Sequence, residues 1–225
     1  MAQQTVLSEE DWMERGDPET AWNTLRAGLN ERRQRLLACA CCRGVLGLLG
    51  DPRAVAVVDA AERYADGDAG PAVVETVHRY PGAAPHGIAA AWAAEAIVSL
   101  QSGCLYTSAR NLAEVVCRAA RADRDAHREM DWRSARRRQV GYLCDLHGRY
   151  FYGATFDPAW NRWKAGLVVT MARAIYDEYR FGDLPILADA LEEAGCEERD
   201  ILAHCRSPRE HVRGCWVIDA LLGKE

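Results

Sequence analysis

The residues of this sequence that could do chemistry are cysteines and histidines, and they form two clusters near the ends of the chain. The C-terminal cluster consists of Cys196, His204, Cys205, His211 and Cys215. Asp200 and His204 are four residues apart, as are His211 and Cys215, so on helices the members of each pair would share one face. Pro208 separates the pairs, which predicts two short helices that converge on one point. Thiolate and imidazole ligands suit Zn²⁺, which takes four of them in a tetrahedron.

The N-terminal cluster lies in the segment RLLACACCRGV, residues 35–45, and contains Cys39, Cys41 and Cys42. On a helix, Cys39 and Cys42 face the same way, and the surrounding leucines and alanines indicate a helix buried on most sides. Cysteines in such a helix act as small packing residues. The alternative is a zinc site assembled across the chain from Cys39, Cys42, His211 and Cys215, which would tie the first and last helices together. The further candidate ligands are Cys41, Cys196, His204 and Cys205.

An enzyme that depends on a metal or a cysteine is the alternative interpretation of the C-terminal cluster. Its candidate catalytic residues are His204, Cys205 and His211. Positive charge from Arg206 would lower the pKa of the Cys205 thiol. His204 and Cys205 diverge by about 100° on a helix, so His211 could serve as the base only if the turn at Pro208 folds it back. The sequence has no His-Glu-x-x-His, Gly-x-Ser-x-Gly or phosphate-loop motif.

A stripe of arginines in the middle of the chain is a third candidate site. Residues 118–138 mix eight arginines with four acids, a pattern typical of a solvated helix face with many i,i+4 ion pairs. Nucleic-acid contact through Arg133, Arg136, Arg137 and Arg138 is the alternative. The formal net charge of −5 gives the chain no overall basic field to hold a phosphate backbone, so a protein partner is favoured over nucleic acid.

The elements that must position these residues are helices. Helix starts are predicted at the capping box of Ser8 and Asp11, at Asp17 followed by a proline, and at Asn30. Further helices are predicted at 52–65, 88–100, 107–121, 167–179, 186–194 and 198–205, with a last helix between Pro208 and Leu222. Strand and hairpin signals are nearly absent. We therefore expect an all-α protein, a compact bundle or array of roughly ten to twelve helices in one domain over residues 1–225. We expect its N- and C-terminal helices to pack together.

Composition and the two ends of the sequence bear on its surroundings. The N-terminus lacks the basic and apolar regions of a secretory signal, and no apolar run reaches the roughly 18 residues that a membrane span needs. We therefore expect a cytoplasmic protein without a membrane segment. Nine cysteines, an odd number, should then be reduced thiols rather than disulfides.

Several segments of the sequence are familiar: RLLACACCRGV, DPAW, AIYDE, LPILADALEEAGC and DILAHCRSPREHVRGCWVIDALLGKE. They resemble an uncharacterised family of proteins abundant in planctomycete bacteria, which open with an "ACACCR" helix and close with "HCR…H-RGCW-D-LLGK". The matching positions are Cys39, Cys41, Cys42, Arg43, Cys196, His204, Cys205, Arg206, His211, Arg213, Cys215, Trp216 and Asp219. The resemblance implies no particular activity, but it includes both cysteine clusters and so favours a metal site.

The function predicted from the sequence is a non-enzymatic binding or scaffold module, stabilised by zinc and directed at a protein partner. The enzyme built on His204, Cys205 and His211 is the main alternative, and contact with nucleic acid is the minor one.

Overall fold

The computed structural model describes residues 7–49, 52–70 and 132–224 of the 225-residue chain. Within these ranges the protein has ten α-helices and no strand, which confirms the all-α prediction. The α-helices are α1 (Glu9–Arg15), α2 (Pro18–Leu25), α3 (Glu31–Leu49), α4 (Pro52–Ala65), α5 (Trp132–Leu146), α6 (Gly148–Phe151), α7 (Leu167–Asp177), α8 (Leu184–Glu193), α9 (Arg199–Cys205) and α10 (Trp216–Leu222). Short 3₁₀ helices cover Arg26–Gly28, Trp160–Ala165 and Phe181–Asp183.

Side-chain caps start the first three helices as predicted. Ser8 and Asp11 form a reciprocal box, in which each backbone amide donates to the other side chain at 2.9 and 3.1 Å. Asp17 accepts from the amide of Glu19 at 3.2 Å, and a proline follows it at the first helical position. Asn30 accepts from the amide three residues later at 2.9 Å. These bonds satisfy amides that have no partner inside their own helix.

The described residues divide into two compact units. Residues 13–49, 52–70 and 132–140 form the N-terminal unit, and residues 7–12 with 141–224 form the C-terminal unit. The first turn of α1 thus belongs with the end of the chain: Glu9 pairs with Arg209 and accepts a hydrogen bond from Tyr152. The expected packing of the two ends of the chain is therefore confirmed. The organisation of residues 1–225 as a single domain stays a prediction.

In the N-terminal unit, α3 packs against α4. Seven consecutive residues of α3, from 36 to 42, are at most 3% exposed, so this part of the helix is buried on every side, as its apolar flanks predict. Arg43 reaches α4 and forms an ion pair with buried Glu62 at 2.6 Å and with half-exposed Asp59 at 2.5 Å.

The C-terminal unit has one apolar core, to which α7, α8, α9 and α10 all contribute. Its largest fully buried side chains are Trp216 and Tyr176. Tyr152 stacks on the indole of Trp216 with ring centroids 5.7 Å apart, and Phe156 meets it edge-on at 5.9 Å. The aromatic segment that precedes Trp160 therefore closes this core from one side.

The prediction of a helix between Pro208 and Leu222 is wrong for its first half. Residues 207–215 are irregular, and α10 begins only at Trp216. Gly214 has a left-handed backbone with φ of +95°, which a helix does not allow. His211 and Cys215 are therefore loop residues rather than neighbours on one helix face.

The predicted helices at 88–100 and 107–121, and most of the arginine-rich segment 118–138, lie outside the described residues. Among the helices that the structure does describe, none has the length and apolarity required to cross a bilayer.

Candidate metal centre

A buried aspartate lies at the centre of the C-terminal cluster. Asp145 is in the last turn of α5, beside the fully buried Leu143 and Leu146, and its side chain is only 4% exposed. Taking a carboxylate out of water costs several kcal/mol unless it is paired, and the C-terminal end of a helix carries partial negative charge. Asp145 therefore requires positively charged or hydrogen-donating partners.

Two histidines supply these partners. His204, in the last turn of α9, places its Nε2 atom 3.1 Å from Asp145 Oδ1. His211, in the following loop, places its Nδ1 atom 2.6 Å from the same oxygen. The backbone amide of Val212 donates to the other carboxylate oxygen at 2.8 Å. The two imidazole rings meet edge to face, with centroids 4.7 Å apart.

Cys215 completes the group from the start of α10. Its sulfur lies 3.3 Å from His204 Nε2, and its side chain is fully buried. Burial and the neighbouring carboxylate of Asp145 raise the pKa of the thiol well above its ordinary value, although the amides of Val217 and Ile218 act in the opposite direction. Without a cation the sulfur therefore keeps its proton, and a bound divalent metal would displace that proton.

Asp145 and His211 each stabilise the charged form of the other. Burial alone would raise the pKa of Asp145, but the charge of His211 and the hydrogen bonds from both imidazoles hold it well below its usual range. Burial alone would lower the pKa of His211, yet the charge and hydrogen bond of Asp145, with the carbonyl of Ser207, raise it. The carboxylate thus stays ionised, and His211 holds a proton more tightly than a free imidazole does.

One ligand atom from each of Asp145, His204, His211 and Cys215 lies within 4.8 Å of all the others. A tetrahedral zinc ion would separate its oxygen and nitrogen ligands by about 3.3 Å, and a nitrogen and a sulfur by about 3.6 Å. The His204 contacts of 3.1 and 3.3 Å are close to these separations. The 2.6 Å contact between Asp145 and His211 would have to open by about 0.7 Å to admit the ion.

The cluster is packed against a tryptophan. The ring of His204 meets the indole of Trp216 with centroids 5.1 Å apart. On another side, Gly148 approaches so closely that a Cβ atom there would lie 2.1 Å from Trp216 Cδ1. Because Gly148 begins the helix directly after α5, this contact fixes the end of α5, and with it Asp145, relative to α10.

The structure brings together only some of the ligands predicted from the sequence. His204, His211 and Cys215 share the group, but Cys39, Cys41 and Cys42 belong to the buried face of α3 in the N-terminal unit. A site that joins Cys39 and Cys42 to His211 and Cys215 would take ligands from both units, and it stays a prediction. Asp200, predicted to share a face with His204, is exposed to solvent.

Cys196 and Cys205 are buried in the core of the C-terminal unit but are not members of the group. Burial raises the pKa of Cys205, and the nearby charges of Asp145 and Cys196 add to the shift, whereas Arg206 opposes it. Arg206 is engaged elsewhere, in ion pairs with Asp189 and Glu192 at 2.7 and 2.6 Å. The thiolate that a nucleophile needs is thus disfavoured at Cys205.

Asp145 is the member that sequence reasoning missed, and the sequence does carry a signal for it. It stands in the run Tyr-Leu-Cys-Asp-Leu, where an apolar helix face surrounds a single acid. Aspartate is almost never fully buried without a partner. An isolated acid on an apolar helix face therefore predicts a cationic, imidazole or metal partner from elsewhere in the chain.

The described part of the arginine stripe has partners of its own. Arg136 pairs with Asp17 at 2.7 Å, and Arg138 donates to the carbonyl of Gly44 at 3.3 Å. Arg137 is exposed, and the side chain of Arg133 lies outside the description. Contact of this stripe with nucleic acid stays a prediction.

Comparisons with known proteins assign no function to this site. No family model, no curated protein and no solved structure matches the chain. The chemistry of the site therefore has to be inferred from its own residues.

Proposed function

We propose that the C-terminal unit is a zinc-stabilised, non-enzymatic binding module, with Asp145, His204, His211 and Cys215 as the metal ligands. The observation that carries the proposal is the convergence within 4.8 Å of four buried ligand atoms, from α5, from α9 and from the loop that leads into α10. A single ion would cross-link α5 to residues 204–215, a segment that begins 59 positions after Asp145 in the sequence.

The ligand count favours a structural role over a catalytic one. Catalytic zinc keeps three protein ligands and leaves a position open for water or substrate, whereas structural zinc is closed by four. Here four side chains are available. The side chains of Asp145, His204 and His211 are 3 to 5% exposed, and Cys215 is fully buried. An ion held among them would be shielded from solvent by the described residues, as structural sites are.

The donor set favours zinc over harder or softer ions. Two imidazoles and one thiolate exclude the all-oxygen coordination that Ca²⁺ and Mg²⁺ prefer. The carboxylate of Asp145 makes the set harder than the thiolate-rich sites that hold copper(I).

The enzyme alternative gains less support. A cysteine nucleophile needs an accessible thiolate and a nearby base. The thiol of Cys205 is fully buried with a raised pKa, and His204, its neighbour in sequence, faces Asp145 and Cys215 instead. We expect the partner of the module to be a protein, because the net charge of −5 offers no attraction to nucleic acid.

The test is metal content, measured by elemental mass spectrometry on protein purified under reducing conditions without added metal. We expect about one zinc ion per chain, as one four-ligand site requires, and a lower melting temperature once a chelator removes it.

Two neighbours on α9 provide a matched pair of variants. His204→Ala removes a ligand and should abolish zinc binding, whereas Cys205→Ala removes a buried thiol one residue away and should retain it. Protein that carries no metal and melts identically with and without chelator would contradict the proposal. The group would then be a buried hydrogen-bond network.

A further inference from the structure

The loop that carries two of the proposed ligands is held by side chains along its length. Residues 207–215 have no regular secondary structure, so hydrogen bonds and ion pairs with other segments must fix their position. Two positions on either side of the ligand His211 have an anchor. Arg209 pairs with Glu9 at 2.5 Å, and Glu210 accepts from the Tyr142 hydroxyl at 3.0 Å. The backbone amide of Val212 donates to Asp145 at 2.8 Å, and Arg213 donates to the Tyr179 hydroxyl at 2.9 Å.

Among these anchors, Glu9 alone comes from the start of the chain. It lies 200 positions before Arg209, and it is only 5% exposed although the residues on either side of it are exposed. Its carboxylate pairs with Arg209 Nη1 and accepts a hydrogen bond from the hydroxyl of Tyr152. A carboxylate is buried in this way only when its partners compensate the loss of water. The neighbouring Glu10 is exposed.

Arg209 transmits this contact to the ligands. Its Nε atom donates to the Ser207 hydroxyl at 3.0 Å, so the guanidinium closes the turn that precedes His211. His211 follows two residues later, with Nδ1 on Asp145. If Glu9 did not hold Arg209, this turn would regain conformational freedom, and metal binding would have to order it again at a cost in affinity.

We propose that Glu9 is a positioning residue for the metal centre, which it serves by holding Arg209 and thereby the loop that presents His211 and Cys215. This inference rests on the proposed zinc site. It implies that the first turn of α1 controls how long the metal is retained. Because coupling between two events is reciprocal, zinc binding should in turn secure that turn of α1 against the C-terminal unit.

The test compares zinc affinity and the zinc dissociation rate, measured by competition with a chromophoric chelator. Its variants are Glu9→Gln, Arg209→Gln, the double variant and the matched control Glu10→Gln. Loss of a residue in direct contact with a ligand typically weakens metal binding 10- to 100-fold, so for the more remote Glu9 we expect about fivefold weaker binding and faster release. The double variant should bind zinc no more weakly than Arg209→Gln alone, because Glu9 acts on the ligands through Arg209.

A purely structural role would lower the stability of the metal-free and zinc-bound forms alike and leave the affinity unchanged. Wild-type affinity in both Glu9→Gln and Arg209→Gln would therefore overturn this inference while leaving the zinc site intact. If Glu9→Gln does not fold, Arg209→Gln, whose side chain is 34% exposed, decides the question alone. Wild-type protein that binds no zinc would overturn the proposed function first, and this inference with it.

Discussion

Buried cysteines occur in both units of the molecule, and their surroundings differ in kind. On α3, Cys39, Cys41 and Cys42 lie within an uninterrupted buried run, where Arg43 and Glu62 satisfy each other's charges. Burial raises the pKa of Cys42 to about 12, with a further contribution from Glu62. In the C-terminal unit, Cys215 lies against an imidazole and near a carboxylate.

The difference shows what makes a thiol a candidate ligand. Burial raises the pKa of Cys41 and Cys42 as it does that of Cys215, so burial does not separate packing cysteines from metal-binding ones. What separates them is the number of other donors that converge on the same point. Near Cys215 there are three such donors, and the described residues around α3 assemble no comparable group. A metal ion needs about four ligands at once, so a lone buried thiol cannot hold it.

The largest expected effect is on the stabilisation by zinc, and it distinguishes Cys215 from Cys42. Zinc in 1,000-fold excess over its dissociation constant stabilises a protein that binds it by about 4 kcal/mol. We expect this zinc-dependent gain to vanish in Cys215→Ala and to persist in Cys42→Ala. Urea unfolding at fixed free zinc, with and without chelator, measures it. If both variants kept the gain, the distinction between the two regions would be refuted.

A second prediction compares carboxylates in the two units, in the absence of metal. Asp145→Asn removes the charge that two buried imidazoles share, and breaking such a buried pair costs about 3 kcal/mol. Asp59, whose side chain is 45% exposed, pairs with Arg43. Asp59→Asn removes this exposed partner and should cost about 0–1 kcal/mol. Denaturant unfolding of both variants measures these two losses in the free energy of unfolding. Equal costs would mean that the Asp145 cluster contributes no more to folding than a surface ion pair.

A third, smaller effect probes the packing that positions Asp145. Gly148→Ala would place a methyl group 2.1 Å from Trp216 Cδ1, and such overpacking typically costs about 1–3 kcal/mol. Gly153→Ala is the matched control, because a Cβ atom there would meet nothing within 4 Å. Thermal unfolding should show a lower melting temperature for the first variant only. An unchanged value for Gly148→Ala would show that the indole of Trp216 moves aside at no cost.

The sequence predicts this molecule well wherever structure depends on near neighbours. The helix starts at Ser8, Asp17 and Asn30 follow from the side-chain chemistry of two or three adjacent residues. The burial of α3 follows from the leucines and alanines that surround its cysteines. By contrast, the i,i+4 spacing of His211 and Cys215 predicts a helix, whereas Gly214 and the anchors of the loop produce irregular backbone.

The candidate site is harder to predict for a physical reason. His204 and Cys215 are identifiable by residue type, but their meeting with Asp145 depends on how α5, α9 and α10 pack. Sequence patterns give the face of a helix that is buried, not the element that covers it. A partner for His204 could therefore be sought only locally, at Asp200, and the structure leaves that residue in solvent.

The smallest expected effect is on how stability changes with pH. Its sign differs between the stability of the metal-free protein and the gain from zinc. Without metal, the raised pKa of His211 adds stability below its unfolded value of about 6.5, and this is lost as pH rises. The lowered pKa of Asp145 adds stability above about 3.9, which is lost on acidification. The cluster should therefore stabilise the metal-free fold most between about pH 4 and 6.5.

Zinc reverses this trend near neutrality, because it binds deprotonated imidazole and thiolate and competes with protons for them. From pH 6 to 8, the melting temperature of metal-free protein should fall while the gain from zinc grows. His211→Gln should flatten the metal-free slope and identifies the contribution of that residue. A metal-free wild type that becomes more stable over this range, with His211→Gln parallel to it, would mean that His211 is not held by Asp145 as the structure indicates. Asp145 would then lack its charged partner, and the need for a cation at this position would be greater rather than smaller.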